Sequence, residues 1–222
     1  MSTPTLDVVI PVKYGSQYLP QALESVARQG VDARVVIVDD GAPVDLAELA
    51  SKVSGIDTTV IPNSRQAGIG GARNTGAAEA TRDLLAFLDA DDVWPDHRTR
   101  TLQESLGGPD ELGLAFGLVE QFLDGSATSL PDPPRPGYLA GGMLIRRSTW
   151  ERVGDFDEEL GVGEYIDWVA RARSIGAREE VIEEIVLRRR IHGDNTTIHR
   201  RDQYADYADV VRRHLRLSLI HI

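Results

Sequence analysis

Residues 84–94 read LLAFLDADDVW. An apolar run short enough for a buried strand passes straight into three aspartates, Asp89, Asp91 and Asp92. Carboxylates this close repel one another, and at a strand end only water, a cation or a basic side chain offsets the repulsion. Upstream, LDVVIPV (6–12), ARVVIVDDG (33–41) and TTVIPN (58–63) are likewise short runs rich in β-branched residues, the pattern of buried strands. Helical patterns lie between them. QYLPQALESVARQG (17–30) carries Leu19, Leu23, Val26 and Ala27 at helical spacing with Gly30 as a stop, and DLAELASKV (45–53) follows the second strand. GGARNTGAAEATR (70–82) is small and Ala-rich, a helix that must pack closely against something. The alternation up to DLLAFLDADD (83–92) predicts a parallel, doubly wound α/β sheet. Such sheets bind ligands outside the carboxyl ends of their strands. Pro11 to Tyr14, Asp39 with Asp40, and Asp89 to Asp92 gather at that edge.

The second half alternates less cleanly. LGLAFGLVEQFLDG (112–125) reads as strand material turning over at Asp124-Gly125, and PDPPRPG (131–137) as a rigid loop. GGMLIRRSTWERVGDFDEEL (141–160) suggests a strand and then a short helix. GEYIDWVARARSIG (163–176) is a helix ending at Gly176, VIEEIVLRRRIHG (181–193) another strand, and RDQYADYADVVRRHLRLSL in the tail an amphipathic helix.

Composition narrows the class. Hydrophobic residues make up 41% and charged residues 27% of the 222, which is ordinary globular usage. No apolar run approaches the length of a membrane span. The start, MSTPTLDVVIPV, has neither the basic nor the apolar region of a signal peptide. With no cysteine there is no disulfide framework and no thiolate metal site, and a cytoplasmic protein is expected. A net charge of -11 argues against nucleic acid as a partner. Lysine occurs only at Lys13 and Lys52, so 22 of the 24 basic residues are arginine, which suits planar phosphate recognition or reflects genome composition alone.

In an extended segment, Asp89 and Asp91 would face one side with Ala90 turned back into the protein. Mg²⁺ and Mn²⁺ commonly take one or two carboxylates together with substrate phosphates, and Asp89 with Asp91 is read as such a metal-diphosphate site. Asp92 suits metal work or capping of the next helix equally. In VIVDDG a carboxylate either accepts the N3–H of a uracil ring or forms a strand-to-helix Asp turn. QAGIGGARN (66–74) has G-x-G at Gly68 and Gly70, but Arg73 stands where a third glycine would fall. That is a poor dinucleotide fingerprint, and the glycines are better read as a turn that brings Arg73 towards a ligand. In RRRIHGD (188–194), His192 ends a basic strand, where a metal or phosphate contact competes with a structural role.

Taken together, VVIPVKYG, VIVDDG, GGARNTG, FLDADD, GGMLIRRSTWERVGDFDEEL and RRRIHG, in this order and spacing, give a chain that resembles family 2 glycosyltransferases over nearly its whole length. The resemblance implies a GT-A (Rossmann-like) α/β fold, with a mixed, mostly parallel central sheet flanked by helices. It implies one domain over 1–222: a nucleotide-binding half (1–95), an acceptor-side half (96–200) and a C-terminal helix or tail (201–222). Asp89 to Asp91 looks like the family's DXD motif, with Asp91 as direct ligand of a divalent cation (Mn²⁺ or Mg²⁺) and Asp89 nearer the ribose. Pro11, Val12 and Tyr14 correspond to the strand end that contacts the nucleobase, Asp40 to the acid that reads the base, and Arg73 to an arginine beside the nucleotide. His192 sits where some members place a histidine on the metal or pyrophosphate.

One departure concerns the base. Many members open the acceptor-side helix with Glu-Asp, whereas GEYIDW has Glu164 followed by Tyr165, and Asp167 comes one turn later on the same face. Glu164 or Asp167 would deprotonate the acceptor, with Glu164 preferred. The expected partners are a nucleotide-diphosphate sugar, a UDP-sugar in the first instance, and an unidentified hydroxyl acceptor (sugar, lipid or peptide). The expected reaction is inverting transfer. The alternative is a nucleotide-sugar-binding protein without turnover, and a nucleotidyltransferase ranks lower because PVKYGSQYLP supplies no lysine-bearing phosphate loop. The C-terminal VVRRHLRLSLIHI would suit a homodimer contact or a membrane surface, and packing on the domain is the preferred reading.

Overall fold

The computed structural model describes residues 5–108, 111–124 and 133–192. The four foreseen strands of the first half are present as β1 (Leu6–Val12), β2 (Ala33–Asp39), β3 (Asp57–Pro62) and β4 (Leu84–Phe87). They are parallel in the order β3-β2-β1-β4. Side-chain alternation sends Leu6, Val8 and Ile10, Val35 and Ile37, and Leu84 and Ala86 to one face. Val9, Val36 and Val38, and Leu85 and Phe87 go to the other.

Helices cover both faces, as a doubly wound sheet requires. On the first lie α1 (Leu19–Ala27), the short α2 (Leu46–Ala50) capped by the Asp45 carboxylate, and α4 (Arg98–Ser105), through Leu23, Leu46 and Leu102. On the second lie α3 (Ile69–Ala78), α5 (Arg147–Val153) and α6 (Glu164–Ser174), through Ala72, Trp150 and Trp168. The Ala-rich α3 packs as closely as its composition predicts. A Cβ on Gly76 would stand 2.3 Å from Val9 Cγ1 and 3.0 Å from Val38 Cγ2, so only glycine lets the helix lie on β1 and β2 here.

The second half completes the same sheet. β7 (Leu144–Arg146) runs antiparallel between β4 and β5 (Gly113–Leu123). β5 also pairs with the two-residue β6 (Arg135–Pro136) and, in parallel, with the long β8 (Arg178–Ile191). Among the described residues the result is one eight-stranded, mixed sheet with helices on both faces.

Several expectations need correction. The strand foreseen over 83–92 stops at Phe87, because β7 reaches only as far as Ala86 and offers no ladder partner beyond it. Asp89 to Asp92 instead form a turn in which the Asp92 N–H donates to the Asp89 carbonyl (3.1 Å), so Asp89 and Asp91 do not share a face of an extended strand. Ala90 is nevertheless buried in the core. PDPPRPG is not wholly loop, since Arg135 pairs with Val119 and Pro136 with Leu118. The strand foreseen from 181 begins at Arg178. The helix expected after Asp92 is α4, whose span was not foreseen: RTRTLQES is strongly polar, and of its residues only Arg98, Thr99 and Leu102 are buried. The C-terminal helix, like Gly125 of the expected turn, lies outside the described residues.

Candidate functional site

Because β1, β2 and β4 are parallel, their carboxyl ends meet at one edge, with Val12 opposite Asp39 and Val9 opposite Phe87. The two acids of VIVDDG divide their roles there. Asp39 Oδ1 accepts the N–H groups of Gly41 (2.9 Å) and Ala42 (2.8 Å), making the turn out of β2. Asp40 is fixed from elsewhere: its Oδ1 accepts Asn63 Nδ2 (2.7 Å), its Oδ2 accepts the Gly68 N–H (3.1 Å), and Lys13 Nζ lies 3.6 Å away. Pro11 and Val12 are buried in the strand end, while Tyr14 is 72% exposed. Gly15, at φ 71, folds the chain back so closely that its Cβ would sit 3.5 Å from the Asp91 Cβ.

Arg73 lies deep in this edge, 4% exposed. Gly68 (φ 130) turns the chain into α3, which carries the guanidinium inward. Its Nη2 donates to Asp89 Oδ1 at 2.6 Å, and its Nη1 donates to Glu164 Oε1. Burial works against the Arg73 charge, but Asp89 and Glu164 outweigh it and hold the guanidinium above its ordinary pKa. One side chain thus bridges the turn after β4 and the first residue of α6. Asp167, a turn further along, is held elsewhere: Arg171 Nε donates to its Oδ2 (2.8 Å), and Arg171 is itself anchored on the Val153 carbonyl (2.9 Å) and the Asp155 carbonyl (2.7 Å).

β8 delivers the other wall. His192 Nε2 and Asp91 Oδ2 are 3.0 Å apart. The Asp91 carboxyl is held above the usual range first by burial and then by the Asp89 charge, with the His192 contact pulling the other way. Asp92 is buried and accepts the Arg190 N–H at 2.9 Å. Burial, and then the charges of Asp91 and Asp89, push its carboxyl well above the usual range. Asp92 therefore ties the turn to β8 and does not cap α4, whose first residue follows His97.

Sequence reading missed the supports. Arg190 Nε donates to the Asp91 carbonyl (2.8 Å) and its Nη2 to Gln21 Oε1 (2.6 Å), with its guanidinium over the rings of Tyr18 (4.4 Å) and Phe122 (4.6 Å). A signal existed: Arg190 and His192 are two apart where β8 ends, a spacing that puts both on one face of an extended chain. Asn74 joins α3 to the second half, donating to the Phe156 carbonyl (3.0 Å) and accepting the Phe156 N–H (2.9 Å). Tyr18 donates to the Asp124 carboxylate, which holds the phenol pKa up.

Asp91 oxygen and His192 nitrogen form a donor set that hard or borderline divalent ions accept. Among the described residues no three His, Cys, Asp or Glu groups converge on one point, so an ion here would take the rest of its shell from ligand and water. The raised Asp91 pKa fits such a group, because added positive charge would relieve the crowding of carboxylates.

The model of the family described as Glycosyl transferase family 2 matches residues 7–156. An uncharacterized glycosyltransferase of Nostoc is 33% identical over 153 residues, 65% of this chain and 47% of that protein. Among solved structures, the mannosyltransferase PcManGT from Pyrobaculum calidifontis, in complex with GDP-Man and Mn²⁺, superposes with a TM-score of 0.72 at 16% identity, over 98% of this chain and 65% of that one. S. aureus TarS 1-349 in complex with UDP-GlcNAc superposes with a TM-score of 0.71 at 17% identity, over 93% and 65%. These likenesses establish the fold. The chain spans about half the length of the curated relatives it matches, between 39% and 60% for three of them. No helix among the described residues is long and apolar enough to cross a membrane.

Proposed function

Because the chain belongs to glycosyl transferase family 2, we propose that it moves a sugar from a nucleotide-diphosphate donor, a UDP-sugar in the first instance, to an acceptor hydroxyl with inversion at the anomeric carbon. The observation that carries this reading is the pairing of Asp91 with His192 beside the Arg73–Asp89 bridge, all at the carboxyl edge of the parallel strands. The nucleotide-sugars in the two solved neighbours, one of them with Mn²⁺, support the same assignment.

In this reading Pro11, Val12 and Tyr14 form the wall against the nucleobase. Asp40, oriented by Asn63 and Gly68, accepts the N3–H of uracil, a donor that neutral cytosine lacks. Asp89 faces the ribose and Arg73 fixes it there. Asp91 and His192 would hold a divalent ion, Mn²⁺ or Mg²⁺, which when bound supplies positive charge against that building on the leaving diphosphate. Glu164 stands on the Arg73 side of α6, whereas Asp167 is turned to Arg171, so Glu164 is assigned the acceptor proton. The acceptor oxygen attacks the anomeric carbon from the face opposite the leaving group. Its proton passes to Glu164, and the bond to the diphosphate oxygen breaks with its electron pair on that oxygen.

A second reading has its own observation. Arg73 already occupies the buried Glu164 carboxylate in an ion pair, and Tyr165 stands in the position after it, which favours holding a nucleotide-sugar without turning it over. Calorimetric titration of UDP and GDP with and without Mn²⁺, followed by a donor-turnover assay, separates the two. Metal-dependent binding that vanishes in Asp91→Ala, together with a turnover loss of at least ~10²-fold in Glu164→Gln, is expected. Binding without turnover selects the second reading, and no binding of either nucleotide under any metal condition sinks both.

A further inference from the structure

Beside the start of α6 lies a second cleft, of about 260 Å³, which the donor assignments leave unused. Val119 and Gln121 alternate onto one face of β5; Arg135 of β6 is paired with Val119, and Arg189 of β8 with Gln121. Paired residues point the same way, so both arginines enter the cleft from its floor. Tyr165 and Ile166, from the first turn of α6, form one wall, and Tyr138 forms another. Tyr138 is held edge-on to Phe116 with ring centroids 5.0 Å apart, and Arg173 lies over its ring. Among the described residues that line the cleft there are two arginines and no Asp or Glu, in a chain whose net charge is -11.

We propose that this cleft binds an acceptor carrying a phosphate or carboxylate, with Arg135 and Arg189 reading the anion and Tyr138 and Tyr165 flanking the body that carries it. The proposal rests on the transferase reading, in that Glu164 immediately precedes Tyr165 and would meet the acceptor hydroxyl at the cleft's inner end. Forked guanidinium donors match a phosphate or carboxylate and gain little from a neutral hydroxyl. A cleft of this size takes one charged head group or sugar ring.

The test compares anionic ligands with neutral twins while the donor site is saturated with UDP and Mn²⁺: glucose 1-phosphate and glucuronate against glucose, and geranyl phosphate against geraniol. The anionic member of a pair is expected to bind about tenfold tighter or more, and the double variant Arg135→Gln, Arg189→Gln to lose that preference while staying folded and keeping its UDP affinity. Preference for geranyl phosphate alone identifies a lipid phosphate as the source, and preference for glucose 1-phosphate or glucuronate a soluble one. Equal affinity for anionic and neutral twins in the unaltered protein overturns the proposal, as does a folded double variant that keeps the preference. Failure of UDP to bind is a separate outcome. It removes the donor reading, while the twin comparison made without UDP still reads the charge preference of the cleft.

Discussion

Gly76→Ala sets two rules of thumb against each other, and the structure decides between them. In an exposed helix interior the change gains about 1 kcal/mol, because alanine loses less backbone freedom on folding than glycine. Here the new methyl would sit 2.3 Å from Val9 Cγ1 and 3.0 Å from Val38 Cγ2, where ordinary carbon contacts are about 3.5–4 Å. Both valines belong to central, fully paired strands and are 0% exposed, so neither can swing away. The helix must lift by about 1 Å, at the upper end of the ~1–3 kcal/mol typical of overpacked cores. Less the propensity gain, about 2 kcal/mol of net destabilisation remains, which for a chain of this size lowers Tm by about 4–8 °C. Arg73 is one turn before Gly76 on the same side of α3, so the lift also draws its guanidinium away from Asp89 and Glu164, and UDP affinity should fall with stability. Thermal melts and UDP calorimetry on the variant measure both. A Tm equal to or above that of the unaltered protein would refute the close packing of α3 on β1 and β2, and with it the account of how Arg73 is aimed.

Arg190→Lys and Arg190→Met remove the fork that holds the Asp91 carbonyl and Gln21, so half-saturation by Mn²⁺ in UDP binding should rise about tenfold while metal-free UDP affinity changes little; equal loss in both would make Arg190 a general stabiliser. Arg98 is buried with no carboxylate beside it among the described residues, and burial pushes its pKa down to about 9. A base whose folded pKa lies below its unfolded one destabilises the native state below that value and less so above it, so Arg98→Met should raise Tm at neutral pH by roughly 2–4 °C, for about 1 kcal/mol, and lose this advantage as pH climbs past about 9. A lower Tm would show that the stack on Trp94 (4.0 Å) and the bond to the Met143 carbonyl (2.7 Å) outweigh the buried charge. Asp83 has its pKa lowered by the N–H and hydroxyl of Thr5. The stability it contributes is full above its unfolded pKa and lost as pH falls through the folded one. Melts of Asp83→Asn should therefore trail the unaltered protein at neutral pH and converge with it in acid, and a gap independent of pH would remove the carboxylate as its cause.

What could be read from the sequence is what local chemistry decides. β1, β2 and β4 are short runs of Val, Ile, Leu and Phe buried on both faces, and no helix pattern competes with them. α3 announces itself by being too small to pack any other way than closely. The elements that were missed or misplaced depend on partners distant in the chain. α4 is polar but for Leu102, and its span is set where Leu102 and, just past its end, Leu106 find the first core face. The glutamates of β8 gave no alternation to follow, and the strand is held by its long pairing with β5. At the site, residue types were legible and their partners were not. Nothing local links Arg73 to Glu164 or Asp91 to His192, which stand 91 and 101 positions apart.

Those long-range partners show why the three aspartates after β4 are not equivalent. Asp89 is met by the Arg73 guanidinium, a full and permanent positive charge. Asp92 is buried, and its oxygen is occupied by the Arg190 N–H, so the chain itself has used it to fasten the turn to β8. Asp91 is matched to His192, whose charge depends on its protonation, and burial together with the Asp89 charge holds its carboxyl above the usual range. Arg190 holds the backbone of that same residue, and Gly15 of the loop after β1 closes over its Cβ. Neutralising Asp89 or Asp92 would disturb the fold or the Arg73 bridge first. In the proposed reading Asp91 is the acid that takes the ion, and Asp91→Asn is accordingly expected to raise metal-free stability while abolishing stabilisation by Mn²⁺ and UDP.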